Sequence, residues 1–194
     1  MYTASGERLG GVILGADEAS WRPSRTGYRS FVLLPLTGPR LRVRAWRDDE
    51  AADVMGLLGS DATMGETRAG RVHSADEAAR WLQGRLRQQR ERGLTMWAVE
   101  RRADDVLVGA CGVFPQQTEL ELAYIISHKY RGERYAAEAA GLVLAALRVA
   151  SIEMPVYATI RPGNYALRRV AEGLGLRCAA ERTDDRGPLL VYRV

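Results

Sequence analysis

Glu119 and Glu121 stand two residues apart in ELELAYIISHKYRGERYAAEAAGLVLAAL, and a short basic loop follows the strand-like run that carries them. In a strand, residues i and i+2 share a face, so both carboxylates point one way while Leu120, Leu122 and Tyr124 point the other. Two carboxylates this close disfavour double ionisation, which raises the proton affinity of one towards the range a general base needs. The same spacing also describes an exposed pair on a solvated strand face. After the strand come Lys129, Arg131 and Arg134, then a helix-forming run from about Glu133. A helix start offers N–H groups without intrahelical partners and the positive end of the macrodipole, a combination that attracts phosphate. Gly132 permits close backbone approach, and Ala136 keeps the first helical turn small.

The elements that must position these residues are legible as a coarse order. LRVRAW alternates from Leu41 and reads as a strand. Asp48 or Asp49 then caps a helix to about Leu58, and GSDATMGETRAG reads as a flexible connection. Ser74 and Glu77 have capping-box spacing for a second helix, with Ala75, Ala78, Ala79, Leu82 and Leu86 on one face and the arginines of RLRQQRER on a solvated one. Three strands follow, Met96 to Glu100, Val106 to Phe114 and Glu119 to Ile126, joined by turn-like RRADD and PQQT as an antiparallel meander. A long helix to Val149, the strand PVYATI, a helix opening near Asn164 and two strands around TDDRG complete the order. This predicts an α+β fold with a mixed, mostly antiparallel sheet of about seven strands and about four helices. Residues 1–38 read as an N-terminal extension with a possible hairpin, and residues 39–194 as the main domain.

Composition narrows the classes. With 194 residues and 46% hydrophobic, the chain can bury a core without disulfides or metal, and wholesale disorder is excluded. A net charge of +4 favours anionic ligands but falls short of a dedicated DNA-binding stripe. Two cysteines far apart, each in an apolar stretch, predict a reducing, cytoplasmic setting, and no run reaches membrane-span length. Cys-x-x-Cys, His-Glu-x-x-His and nucleophile-elbow patterns are missing, so no metal site is expected. Cys111 in GACGVF alternates inward and reads as packing.

With these motifs quoted, Leu41 to Val194 resembles the GNAT superfamily of acyl-CoA-dependent N-acyltransferases. The family's pyrophosphate loop, Gln/Arg-x-x-Gly-x-Gly/Ala, corresponds to RGERYA from Arg131 to Ala136, with Arg134 in place of the central glycine. At a helix start an ordinary right-handed residue is sterically acceptable there, so a retained loop with a bulkier rim is expected. RPGNYALRRVAEGLGL resembles the family's last conserved helix, and Asn164 is the only asparagine in the chain. The wording is closest to the branch that acetylates protein N-termini, ribosomal proteins among them.

The resemblance implies acetyl-CoA as co-substrate, bound by Ile125, Ile126, Ser127, Arg131, Gly132, Glu133, Arg134, Tyr135, Ala136 and Asn164. It implies Glu121 as general base, with Glu119 in reserve, and an oxyanion donor among the backbone N–H groups of Ile125 to Ser127. Asn164 would meet the pantetheine arm, although a helix N-cap is its simpler role. Where many relatives carry a Ser or Tyr as general acid, this chain has Leu167 and Ala171; Tyr130, Tyr165 or water would substitute. The acceptor is a protein N-terminus or a small amine, with no membrane or specific nucleic acid as partner. The extension, with Trp21, Tyr28 and Phe31, would cap the acceptor site or build a homodimer. A non-catalytic acyl-CoA-binding module is the alternative, motivated by Arg134, Leu167 and Ala171. An RNA-binding surface on the arginine face is a third.

Overall fold

The computed structural model describes residues 32–65 and 71–194. In chain order it contains β1 (Leu36–Thr37), β2 (Leu41–Arg44), α1 (Ala51–Leu58), α2 (Asp61–Met64) and α3 (Ala75–Arg92). The meander β3 (Met96–Arg101), β4 (Val106–Gln116) and β5 (Glu119–Ile126) follows. After it come α4 (Tyr135–Val149), β6 (Val156–Ile160), α5 (Tyr165–Gly173), β7 (Arg177–Asp184) and β8 (Gly187–Arg193). One eight-stranded sheet runs β1-β2-β3-β4-β5-β6-β8-β7, antiparallel at every junction except the parallel β5–β6 contact. This is the expected α+β architecture, enlarged among the described residues by β1 and α2. Trp21, Tyr28 and Phe31 lie outside the described residues, as does the first arm of the expected hairpin from Gly11 to Leu14; Val32 to Leu34, most of its second arm, form no strand. The last part of segment 1–38 joins the sheet, with Leu36 opposite Val43 and Val32 in the core.

Both sheet faces are covered. Ala139, Ala140, Val143 and Leu147 of α4 pack with Ala171 of α5 against Leu120, Leu122 and Tyr124. On the other face Val54 and Leu57 of α1 meet Ala78, Leu82 and Leu86 of α3 over Met96, Ala98 and Ala110. Burying a leucine in such a cluster contributes about 1.5–3 kcal/mol, so these stripes hold the helices where local propensity alone would not.

Several local expectations are corrected. Helix α1 starts after Glu50, not Asp48 or Asp49, because Glu50 accepts from the Arg47 N–H at 2.8 Å and from Arg44 Nη2 at 2.6 Å. Ser74 does cap α3, accepting from Glu77 N at 3.2 Å, but Glu77 reaches back to His73 N at 2.7 Å. Ala75 is exposed, whereas Arg85 and Gln88 are buried. The stretch read as a flexible connection contains α2, a single turn hidden in the sequence by Gly59 and Gly65 on either side. Cys178 is exposed because β7 ends the sheet with its residues open to solvent, while Cys111 is fully buried as packing.

A buried ionic cluster ties β2, β3 and α1 together. Glu100, 1% exposed, receives Arg44 Nε at 2.7 Å and Arg42 Nη1 at 2.6 Å. Burial by itself would push the Glu100 carboxyl up, but the two arginines outweigh it and hold the group below the usual carboxylate range.

Candidate active site

The parallel contact between β5 and β6 is short. Leu120 lies opposite Val156 and Glu121 opposite Tyr157, and no further pair follows although β5 continues to Ile126. The two strands therefore part after Glu121. On the other side β5 stays bonded to β4 through its full length, from Glu119 opposite Gln116 to Ile126 opposite Gly109. Gly109 is required there, since a Cβ would stand 2.2 Å from the Ile125 carbonyl oxygen.

Strand alternation decides which backbone groups enter the opening. Leu120 N–H points to β6, donating to Pro155 O at 2.8 Å, and Ser127 N–H points to β4, donating to Val108 O at 2.9 Å. Even-numbered residues between them thus face away from β4. Ile126 and Tyr124 present their N–H groups to the opening, while Ile125 and Ser127 turn theirs to β4. Of the three expected oxyanion donors only Ile126 has the right direction, and Tyr124 is an addition.

Glu121 is 8% exposed and accepts from Thr159 Oγ1 of β6 at 2.5 Å. Its cross-strand partner Phe114 and its i+2 neighbour Ala123 belong to the α1–α3 side of the sheet, which fixes the face on which the carboxylate lies. Glu119 is engaged differently, in an ion pair with Arg193 of β8, whose guanidinium also lies over the Tyr157 ring at 5.5 Å. The expected repulsion within the carboxylate pair is thereby answered: each has its own partner, and the negative charge of Glu119 is already met by an arginine. Thr159 was not singled out from the sequence, although a lone threonine inside the strand PVYATI was the available signal.

The loop after β5 makes a 3-10 turn at His128–Tyr130 and passes through Gly132 at φ +86°. Arg134 then adopts the left-handed conformation, φ 60° and ψ 20°, directly before α4. This overturns the expectation of a right-handed residue. The chain must swing its N–H groups into line with the helix axis, and with no glycine at this point arginine takes the strained region itself. The helix begins at Tyr135, not Glu133, because a left-handed residue cannot be part of it. No side chain caps α4, and its first intrahelical bond of this turn is Glu138 N–H to Arg134 O at 3.2 Å.

Lys129, Arg131, Gly132, Glu133 and Arg134 are exposed around that helix start. Tyr135 is not; it is buried in the α4-side core with Arg40 over its ring at 4.9 Å, so only its backbone can serve a ligand. Ala136 packs partly on the same core. Arg131 donates from Nη2 to Thr63 O in α2 at 2.7 Å. Among the described residues, an uncapped helix start behind two left-handed positions and ringed by cations fits a pyrophosphate.

Asn164 is 4% exposed, and its Oδ1 accepts from Leu167 N at 3.1 Å as the N-cap of α5. Ala171 is fully buried in the core cluster, and Leu167, partly buried, packs against it. Tyr165 is 65% exposed, and Tyr130 lies beneath the Arg101 guanidinium at 5.1 Å. Tyr124 donates its hydroxyl to Leu167 O at 3.0 Å, and burial pushes that phenol above its ordinary range, which keeps it neutral. Arg85, read as part of a solvated face, is 2% exposed and lies between the rings of Trp81, at 5.2 Å, and Phe114, at 4.9 Å. It stands beside the cross-strand neighbour of Glu121, on the same side of the sheet.

In chemical terms, a buried carboxylate sits beside a gap between strands. Backbone donors face that gap, and the strand leads to an anion-attracting helix start. No helix among the described residues is long and apolar enough to cross a membrane.

Comparison with known proteins gives a consistent picture. The family model described as an acetyltransferase (GNAT) domain matches residues 40–177. An uncharacterised protein of Bacillus subtilis, YkkB, is 29% identical over 161 residues, spanning 81% of this chain and 93% of its own. A GNAT-family acetyltransferase of known structure from Bacillus anthracis superposes with a TM-score of 0.69 at 18% identity, covering 83% of this chain and 98% of its own. RimL, a ribosomal L7/L12 alpha-N-protein acetyltransferase solved in complex with coenzyme A, superposes with a TM-score of 0.69 at 12% identity, covering 82% and 96%.

Proposed function

The chain belongs to the GNAT acetyltransferase family, and from that premise we propose that it transfers an acetyl group from acetyl-CoA to a primary amine by direct attack. The observation that carries the proposal is the strand β5, which bears Glu121, presents the Ile126 and Tyr124 N–H groups to the opening, and leads through the loop 127–134 to the uncapped start of α4. In this reading acetyl-CoA supplies the activated acyl group. Gly132 to Ala136 hold the pyrophosphate through the α4 N-terminus, with Arg131 and Arg134 contributing charge. Pantetheine lies along the parted edge of β5 towards Asn164.

Glu121 accepts the proton that the amine gives up as its nitrogen bonds to the acyl carbon. Thr159, donating to one oxygen, fixes the direction of the carboxylate. Ile126 N–H donates to the oxygen that gains charge, with Tyr124 N–H as the second candidate. The C–S bond then breaks and the sulfur leaves as thiolate, which takes its proton from water or from a tyrosine such as Tyr130. Glu119 is the weaker base, since Arg193 occupies it.

A protein N-terminus is the favoured acceptor class, supported by the likeness to a ribosomal-protein acetyltransferase; a small amine is the other. We place the reaction in the cytoplasm, in line with two unbridged cysteines. Residues 1–38 are proposed as a cap or dimer element on the domain formed by 39–194. Peptide and small-amine panels, followed by release of the CoA thiol, test the proposal. Glu121→Gln should lower kcat/KM about 100-fold while leaving the KM for acetyl-CoA in place. Undiminished transfer would remove Glu121 as base. The core positions of Leu167 and Ala171 favour a second reading, a non-catalytic acyl-CoA-binding module. Tight acetyl-CoA binding without transfer to any amine would select it.

A further inference from the structure

Three contacts from the loop between β5 and α4 converge on one residue more than sixty positions earlier in the chain. Thr63, in the single turn of α2, is 1% exposed. Its hydroxyl accepts from the His128 backbone N–H at 3.2 Å and lies 3.2 Å from His128 Nδ1. The oxygen has a second lone pair and a proton of its own, so it can serve either tautomer of the ring. The Thr63 carbonyl accepts from Arg131 Nη2 at 2.7 Å. Within the loop itself the backbone bonds are few: Tyr130 N–H to Ser127 O at 2.9 Å and Arg131 N–H to His128 O at 3.4 Å.

We propose that Thr63 is a positioning residue for the phosphate-binding loop, and that through it the α1–α3 connection sets the affinity for the pyrophosphate of the acyl donor. This rests on the acetyl-CoA reading above. The chain between Ser127 and Arg134 must turn sharply twice, at Gly132 and at Arg134, to aim the α4 N–H groups at a ligand. A turn of that kind is held only if its entry is held. Thr63 fixes the entry at two points, the His128 backbone and the Arg131 side chain, and is itself buried. The α1–α3 side of the sheet is also the side on which Glu121 lies, but Thr63 touches the loop and not the carboxylate, so its effect should stay with the pyrophosphate.

The test separates the pyrophosphate from the thioester. Thr63→Val keeps the shape and removes the hydroxyl. It should weaken binding of acetyl-CoA about tenfold, the expected loss when a part-buried N–H is left without its acceptor. Transfer from S-acetyl-N-acetylcysteamine, a thioester with no pyrophosphate, should remain within twofold of the wild type, and Thr63→Ser should restore acetyl-CoA binding. His128→Ala, which removes only the exposed ring, should weaken acetyl-CoA about threefold with the short donor again unaffected, and it serves if Thr63→Val does not fold. Unchanged acetyl-CoA affinity in a folded Thr63→Val, or equal losses with both donors, overturns the proposal. Wild-type protein that binds no acetyl-CoA would instead remove the reading on which it rests, and the proposal with it.

Discussion

Arg134 holds a left-handed backbone at the point where the phosphate-binding loop enters α4, and it is exposed there, so its side chain offsets little of the strain. The left-handed conformation costs a residue with a Cβ about 1–2 kcal/mol, and glycine escapes that cost. Glycine gives back about 0.4–1 kcal/mol through the greater freedom of the unfolded chain. Removing a cation from the positive end of a helix returns about 0.3 kcal/mol. Arg134→Gly should therefore stabilise the protein by about 1 kcal/mol, which in a chain of this size raises Tm by about 2–4 °C. Arg134→Ala removes the same charge but keeps the strained backbone, so its gain should be less than half as large. Both variants lose the cation, so both should bind acetyl-CoA more weakly by a similar factor. Thermal unfolding without ligand, then with acetyl-CoA, reads both effects. If alanine matched or exceeded glycine, the strain argument would be wrong; if neither variant lost acetyl-CoA affinity, Arg134 would have no place in the loop's charge.

The Glu100 cluster makes stability depend on acid. Its folded carboxyl titrates below its unfolded value, so the stabilisation is present above the ordinary carboxylate range and is lost as pH falls through the lowered folded value. Glu100→Gln should cost about 3 kcal/mol at neutral pH and flatten the acid limb of a urea-midpoint profile, and an unchanged profile would contradict the assignment. The thiols give a simpler check. Cys111 is fully buried and burial pushes its thiol above the ordinary range, whereas Cys178 is exposed. A thiol reagent should label one cysteine per native chain and the second only in denaturant; rapid labelling of both would mean that β4 is not the buried strand described.

The sheet was readable because β2 alternates, because the meander strands are short runs bounded by the turn-like RRADD and PQQT, and because α3 and α4 carry long apolar stripes. The reading failed where a tertiary contact decides the structure. Glu50 displaced the expected caps because Arg44 of β2 and the Arg47 N–H after it both reach its carboxylate. Arg85 went inside because Trp81 and Phe114 offer their ring faces, which no helical pattern reveals. Thr63 looked like loop because one helical turn between glycines leaves no periodic signal, and its partners come only after a helix and three strands. The left-handed Arg134 is similar: glycine would have announced the conformation, and arginine conceals it. At Glu121 the face was legible from alternation, but Thr159 and Arg193, which give the two carboxylates different partners, came into view only when β6 and β8 were placed beside β5.

The central claim is that the loop from Arg131 to Ala136 and the parted edge of β5 hold acetyl-CoA. Thermal unfolding in the presence of acetyl-CoA, with a nucleotide lacking pantetheine as control, tests it most directly. At about 100 times Kd the ligand should add about 2.7 kcal/mol and raise Tm by several degrees, with a clearly smaller shift for the control. No shift at millimolar acetyl-CoA, or equal shifts for the two ligands, would contradict the account.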